Sequence, residues 1–241
     1  MAMNILITND DGIDDVGLRL LVDFAKTLGK VTVIAPKVEQ SGMSHAIDFT
    51  RPIEVKKVNF SDGVTAYTMD STPADCVRFS ALGLGESFDL VLSGINRGIN
   101  VGDDIVYSGT VGAVFEAARL GMHSIAFSAF PDGQREAAEH LDRVYRYIVD
   151  HDLFAENPVF NVNIPKNPRE IRMTYQGSPY YADTFVRKAD DLYVLEGHII
   201  PDVCPDDERR DTVAVLHDYI SVTPLLTTRT NIEMLRRHGI I

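Results

Sequence analysis

The chain has 241 residues, 45% of them hydrophobic, which is enough for one sizeable core and unlike a disordered or fibrous composition. Thirty-five acidic residues against 23 basic ones leave a net charge of -12, which opposes adhesion to DNA, RNA or acidic membranes. Cys76 and Cys204 lie far apart in unlike contexts and give neither a disulfide framework nor metal-ligand spacing. With no apolar stretch of membrane-spanning length and no signal-like start, the expectation is a cytoplasmic protein with no membrane and no nucleic-acid polymer among its partners.

In chain order, Asn4 to Thr8 reads as a buried strand. It is followed by a helix over Gly17 to Leu28, where Leu18, Leu21, Val22, Ala25 and Leu28 recur at helical spacing and Gly29 ends it. Val31 to Ala35 reads as a second strand, stopped by Pro36. Ile47 to Val58 and Val64 to Met69 read as an antiparallel excursion about Ser61-Asp62-Gly63, with a helix over Pro73 to Leu84. Phe88 to Leu92 and Ser124 to Phe130 are strand-like, and Val111 to Leu120 is a helix closed by Gly121. Short apolar strands alternating with amphipathic helices predict an α/β fold, Rossmann-like and doubly wound on a mostly parallel sheet. From about residue 165 the pattern loosens, with a strand at Tyr219 to Val222 and a helix from about Thr230. The whole is read as one domain, 1–241, with a core over about 1–165 and a C-terminal arm over about 166–241.

In open parallel sheets ligands bind beyond the carboxyl ends of the strands, and three polar clusters fall there. Asn9-Asp10-Asp11-Gly12 follows the first strand, Pro36 to Ser44 the second, and Ser93-Gly94-Ile95-Asn96 a later one. Adjacent carboxylates after a buried strand are costly without a positive partner, and Gly12 supplies a turn that lets both converge. Their alternative use is to cap the helix that follows. Carboxylates with an amide and a hydroxyl are hard oxygen donors, suited to magnesium or manganese. Further on, Ser108-Gly109-Thr110 opens a helix and offers backbone N–H groups and hydroxyls to a phosphate-sized anion, or serves simply as a cap.

These residues closely resemble the stationary-phase survival protein E family, SurE, metal-dependent nucleotidases. The match runs through Ile5 to Gly12, Ala35-Pro36 with Ser41-Gly42-Met43-Ser44, Thr72 to Val77, Ser93 to Asn100, Gly102-Asp103-Asp104, Tyr107 to Val111, Asn161 to Pro165 and Tyr219 to Leu225. The resemblance implies one divalent cation, magnesium or manganese, held by Asp10, Asp11, Ser41 and Asn96, of which Ser41 enters on the resemblance alone. It implies hydrolysis of nucleoside 5′- or 3′-monophosphates and a C-terminal arm exchanged between subunits of a homodimer or homotetramer. Departures include Asp15-Val16-Gly17 where Ala-Pro-Gly is frequent, His123 for Pro, Arg210-Asp211 for Thr-Asp, and Asp218 for Gly. None replaces an implied ligand.

The expected chemistry is metal-assisted phosphomonoester hydrolysis, with Asp10 and Asp11 at its centre. Asn9, Ser44, Asn100, Ser108, Gly109 and Thr110 are the candidate phosphate contacts. Asp10 serves as ligand or as proton acceptor. Two rivals stand beside it: a haloacid-dehalogenase-type phosphatase, which expects Asp-x-Asp rather than adjacent carboxylates, and a metal- and nucleotide-sensing module without turnover.

Overall fold

Ile5, Leu6, Ile7 and Thr8 are all buried, the pattern of a central strand covered on both faces. In the computed structural model, which describes residues 2–241, this strand is β1 (Met3–Thr8). It pairs in parallel with β2 (Gly29–Pro36) on one side and β5 (Leu90–Arg97) on the other. Beyond β2 lie β4 (Thr65–Met69), parallel, and β3 (Val55–Val58), antiparallel. Beyond β5 come β6 (His123–Ala129) and β7 (Val159–Ile164), both parallel. Then β11 (Ile220–Pro224) runs antiparallel to β7, with β8 (Ile171–Met173) at the edge. The order β3-β4-β2-β1-β5-β6-β7-β11-β8 reverses direction between β1 and β5, so a crevice opens there at the carboxyl ends of the strands.

Alternating side chains assign the two faces. Ile5 and Ile7 pack with Leu18, Leu21 and Val22 of α1 (Val16–Ala25) and Leu141, Val144 and Ile148 of α5 (Leu141–Asp150), while Leu6 packs oppositely with Val77 of α2 (Pro73–Arg78) and Ala113 and Ala117 of α3 (Gly109–Arg119). Each fully buried Leu, Ile or Phe of these clusters contributes about 1.5–3 kcal/mol of transfer free energy. The short helices α4 (Gln134–Ala138), α6 (Leu153–Glu156), α7 (Asp211–Leu216) and α8 (Ile232–Arg237) complete the set.

Several boundaries differ from the sequence reading. Gly29 does not end α1, which stops at Ala25; it opens β2, where a Cβ would stand 2.1 Å from the Met3 carbonyl oxygen, so strand pairing needs the glycine. Residues 47–54 lie outside the strand, and α2 ends at Arg78 before a wide π turn over Phe79–Gly83. The largest feature without a sequence signal is the hairpin of β9 (Tyr181–Ala189) and β10 (Leu192–Ile199), a two-stranded sheet of its own. Its residues are exposed on both faces, so no burial period marks it as strand. β8 and β11, by contrast, belong to the main sheet.

Candidate active site

The turn after β1 is held by its own asparagine. Asn9 is fully buried; its Nδ2 donates to the Gly12 carbonyl at 2.9 Å and its Oδ1 accepts from the Gly12 amide at 3.2 Å. Gly12 has φ of +99°, which L side chains rarely adopt, and the turn aims Asp10 and Asp11 together. Neither caps the next helix. That task falls to Asp15, whose carboxylate accepts from the Gly17 amide at 2.6 Å.

Asp10 is instead the anion bound at the amino end of α3. Its Oδ2 accepts from the Thr110 amide at 3.2 Å and its Oδ1 from the Thr110 hydroxyl at 2.5 Å. Thr110 is fully buried, and a Cβ on Gly109 would stand 3.0 Å from the Asp10 Cβ, so the glycine admits the carboxylate. Ser108 caps the helix, its Oγ accepting from Val111 at 3.1 Å, and it also forms part of the cavity wall.

Asp11 Oδ2 accepts from the Arg97 amide at 3.1 Å, and the Arg97 guanidinium stands 3.6 Å from Oδ1. Burial, then the neighbouring Asp10 charge, push the Asp11 carboxyl up to about 6, and burial raises Asp10 as well despite its Thr110 hydrogen bonds. In both, the ionised form is disfavoured because the surrounding protein supplies too little positive charge to compensate it.

Across the crevice, Asn96 spends its Nδ2 on the Gly98 carbonyl at 2.8 Å, which leaves Oδ1 for another partner. Ser41, in the loop after β2, donates to Glu39 at 2.6 Å. Asp10, Asp11, Ser41 and Asn96 line one open cavity of about 290 Å³, with Glu39, Arg97, Asn100, Tyr107 and Ser108 also on its wall. Ser44 faces away; its Oγ donates to the Val106 carbonyl at 2.6 Å and it lines a neighbouring pocket. The donor set fits a hard divalent cation by its chemistry: two desolvated carboxylates, one free amide oxygen and one hydroxyl. Among the described residues no group of three or more His, Cys, Asp or Glu side chains is arranged for a metal, so such a cation would rest on two carboxylates completed by neutral oxygens.

The structure adds residues that sequence reasoning passed over. Arg97 is the one cation on the cavity wall among the described residues; it is also the only basic residue between Ser93 and Thr110, which was the available signal. The others are Ser128 of β6 and Asn161 and Asn163 of β7, which grip the candidate Asn100. Its amide donates to Asn163 at 2.7 Å, its carbonyl accepts from both Asn161 and Asn163 at 2.8 Å, and its Nδ2 donates to Ser128 at 2.8 Å. Two asparagines spaced by one residue in a wholly buried strand were the trace of this in the sequence.

Asp103 and Asp104 buttress the loop. Asp103 accepts from Gln176 at 2.8 Å, and Asp104 from the Tyr180 and Tyr181 amides at 2.7 and 2.9 Å. His45 binds the buried Glu116 at 2.8 Å and is not on the cavity wall.

Comparison with known proteins agrees with this architecture. The family model described as survival protein SurE matches residues 5–183. The chain is 38% identical over 244 residues to a 5′-nucleotidase SurE of Thermoanaerobacter sp. (strain X514), covering 97% of this chain and 96% of that one. It is 37% identical over 255 residues to a 5′-nucleotidase SurE of Acinetobacter baumannii (strain SDF), covering 97% of each. The crystal structure of the SurE protein from Aquifex aeolicus superposes with a TM-score of 0.82 at 34% identity, over 98% of both chains. Matched over nearly its whole length in sequence and in fold, the chain belongs to the SurE family.

Proposed function

We propose that this chain is a 5′-nucleotidase, a phosphomonoesterase that releases phosphate from nucleoside 5′-monophosphates with one bound divalent cation, magnesium or manganese. The observation that carries this reading is the convergence of Asp10, Asp11, Asn96 and Ser41 on one cavity at the point where the sheet reverses. When bound, a hard divalent cation there supplies Lewis-acid polarisation of a phosphoryl oxygen and lowers the pKa of a water. Asp10 and Asp11 hold it, Asn96 and Ser41 complete its oxygen set, and Arg97 faces the same space to take negative charge on the substrate. Asn100 and Ser108 shape the phosphate side, while Gly109 and Thr110 act through Asp10, whose carboxylate they fix. In phosphoryl transfer, positioning and charge stabilisation supply most of the acceleration, so no covalent nucleophile is needed.

The relatives named 5′-nucleotidase support the activity, and hydrolysis of 3′-monophosphates is an extension on the same geometry. The protein works in the cytoplasm; no helix among the described residues is long and apolar enough to cross a membrane. It assembles as a homodimer or homotetramer through its C-terminal arm.

The test is a phosphate-release panel of 5′- and 3′-nucleoside monophosphates with magnesium, manganese or chelator. Release that needs metal and vanishes with chelator is expected. Tight nucleotide binding with no release would make the chain a sensor instead, and a trapped aspartyl phosphate would move it to haloacid-dehalogenase-type chemistry.

A further inference from the structure

The base of the β9–β10 hairpin sits over the catalytic cavity. Asp104, on the cavity wall, accepts from the Tyr180 and Tyr181 amides and so fixes where β9 begins. Tyr181 and Asp183, two residues apart on one strand and thus on the same face, both line the cavity. The cross-strand partner of Asp183 is Gly197, where a Cβ would stand 2.5 Å from the Asp183 Oδ1, so the carboxylate lies in the notch that the missing side chain leaves. Among the described residues no Lys, Arg or His pairs with Asp183. Glu39 stands on the same wall beside the Ser41 loop, already paired with Arg97 at 3.4 Å.

A cavity with carboxylates at its floor and its mouth discriminates by charge. One phosphate at the floor faces the cation that Asp10 and Asp11 would hold, together with Arg97. A second or third phosphate extending outward meets Asp183 and Glu39 instead, while a neutral nucleoside meets Tyr107, Tyr181 and Ile99. We infer that Asp183 is a specificity-determining residue, delivered by the hairpin and seated against Gly197, that selects nucleoside monophosphates against di- and triphosphates.

This inference rests on the nucleotidase reading, and two readouts separate them. The ratio of kcat/KM for adenosine 5′-monophosphate over adenosine 5′-triphosphate, and the ratio of the two equilibrium dissociation constants, are measured with magnesium for the wild type, Asp183→Asn and Asp183→Lys. Removing one exposed charge should shift both ratios toward the triphosphate by about threefold to fivefold, and reversing it by about tenfold. Raising the salt to about 1 M should shrink the differences. Gly197→Ala should shift the ratios in the same direction by displacing the carboxylate. Asp190→Lys, the same charge reversal at the hairpin tip, should leave them unchanged.

If Asp183→Lys leaves the dissociation-constant ratio within twofold of wild type, or if Asp190→Lys moves it equally, the inference is wrong. Absence of turnover with every monophosphate would sink the nucleotidase reading alone, because the dissociation constants still decide the role of Asp183.

Discussion

At the scale of single residues, the first turn had two competing sequence readings, and the structure separates them. Asp15 takes the capping task, which frees Asp10 and Asp11 for the cavity. The sequence could show that the carboxylates were adjacent and followed a strand. It could not show that Asp10 is bound end-on by α3, because Thr110 lies a hundred positions away. That contact changes what Thr110 is expected to do: Thr110→Ala should weaken Mn²⁺ binding as well as turnover, each by about tenfold, since two hydrogen bonds to a charged group at about 1.5–3 kcal/mol each become one. Asp10→Asn should abolish metal binding while keeping or raising the thermal midpoint of the metal-free protein, because it removes a desolvated charge. Electron paramagnetic resonance titration of Mn²⁺ with a parallel thermal scan checks both variants. Full Mn²⁺ affinity in Asp10→Asn would remove this residue from the ligand set.

At the scale of elements, strands and helices of the first half were legible because each has two covered faces and therefore an unbroken apolar run or a clear period. The second half was not, because its order depends on polar contacts between distant segments. Segment 177–181 is fixed to the core by three carboxylates: Asp211 accepts from Gly177 at 2.7 Å, Asp202 from Ser178 at 3.0 Å, and Asp104 from Tyr180 and Tyr181. Asp211 is fully buried and also accepts from Gly102 at 3.1 Å, which ties the arm to the glycine-rich loop. Burial outweighs its N–H bonds and raises its carboxyl to about 6. Since the folded value exceeds the unfolded one of about 4, the folded state binds this proton more tightly. Its contribution is therefore present below about pH 4 and is lost as the pH rises through about 6, an amplitude of up to about 3 kcal/mol. Urea unfolding midpoints measured between those limits should fall less steeply for Asp211→Asn than for wild type. Equal slopes would mean that Asp211 does not titrate on unfolding.

At the scale of the whole molecule, the hairpin is the part least accounted for by one copy of the chain. Phe185 is 70% exposed, and Leu192, Tyr193, Leu195 and Ile199 are exposed with it, an apolar surface on a sheet of only two strands. In an oligomer joined through the arm, these residues would be covered by a neighbouring copy. Replacing residues 182–198 by a short Gly-Ser turn should therefore convert the assembly to monomers in multi-angle light scattering. An unchanged mass would place the interface elsewhere.

The grip on Asn100 carries a consequence for how activity is lost. The Asn100 wall of the cavity, in the loop after β5, is stapled to β6 and β7 by Ser128, Asn161 and Asn163, so it exists only while these neighbouring strands are in register. Local fraying cannot dismantle this part of the site without breaking the centre of the sheet, and central strands generally open only at a cost near that of global unfolding. Catalysis in this chain is thus a gauge of the global fold: on heating or in denaturant, turnover and deuterium protection of β5 to β7 should disappear along one curve.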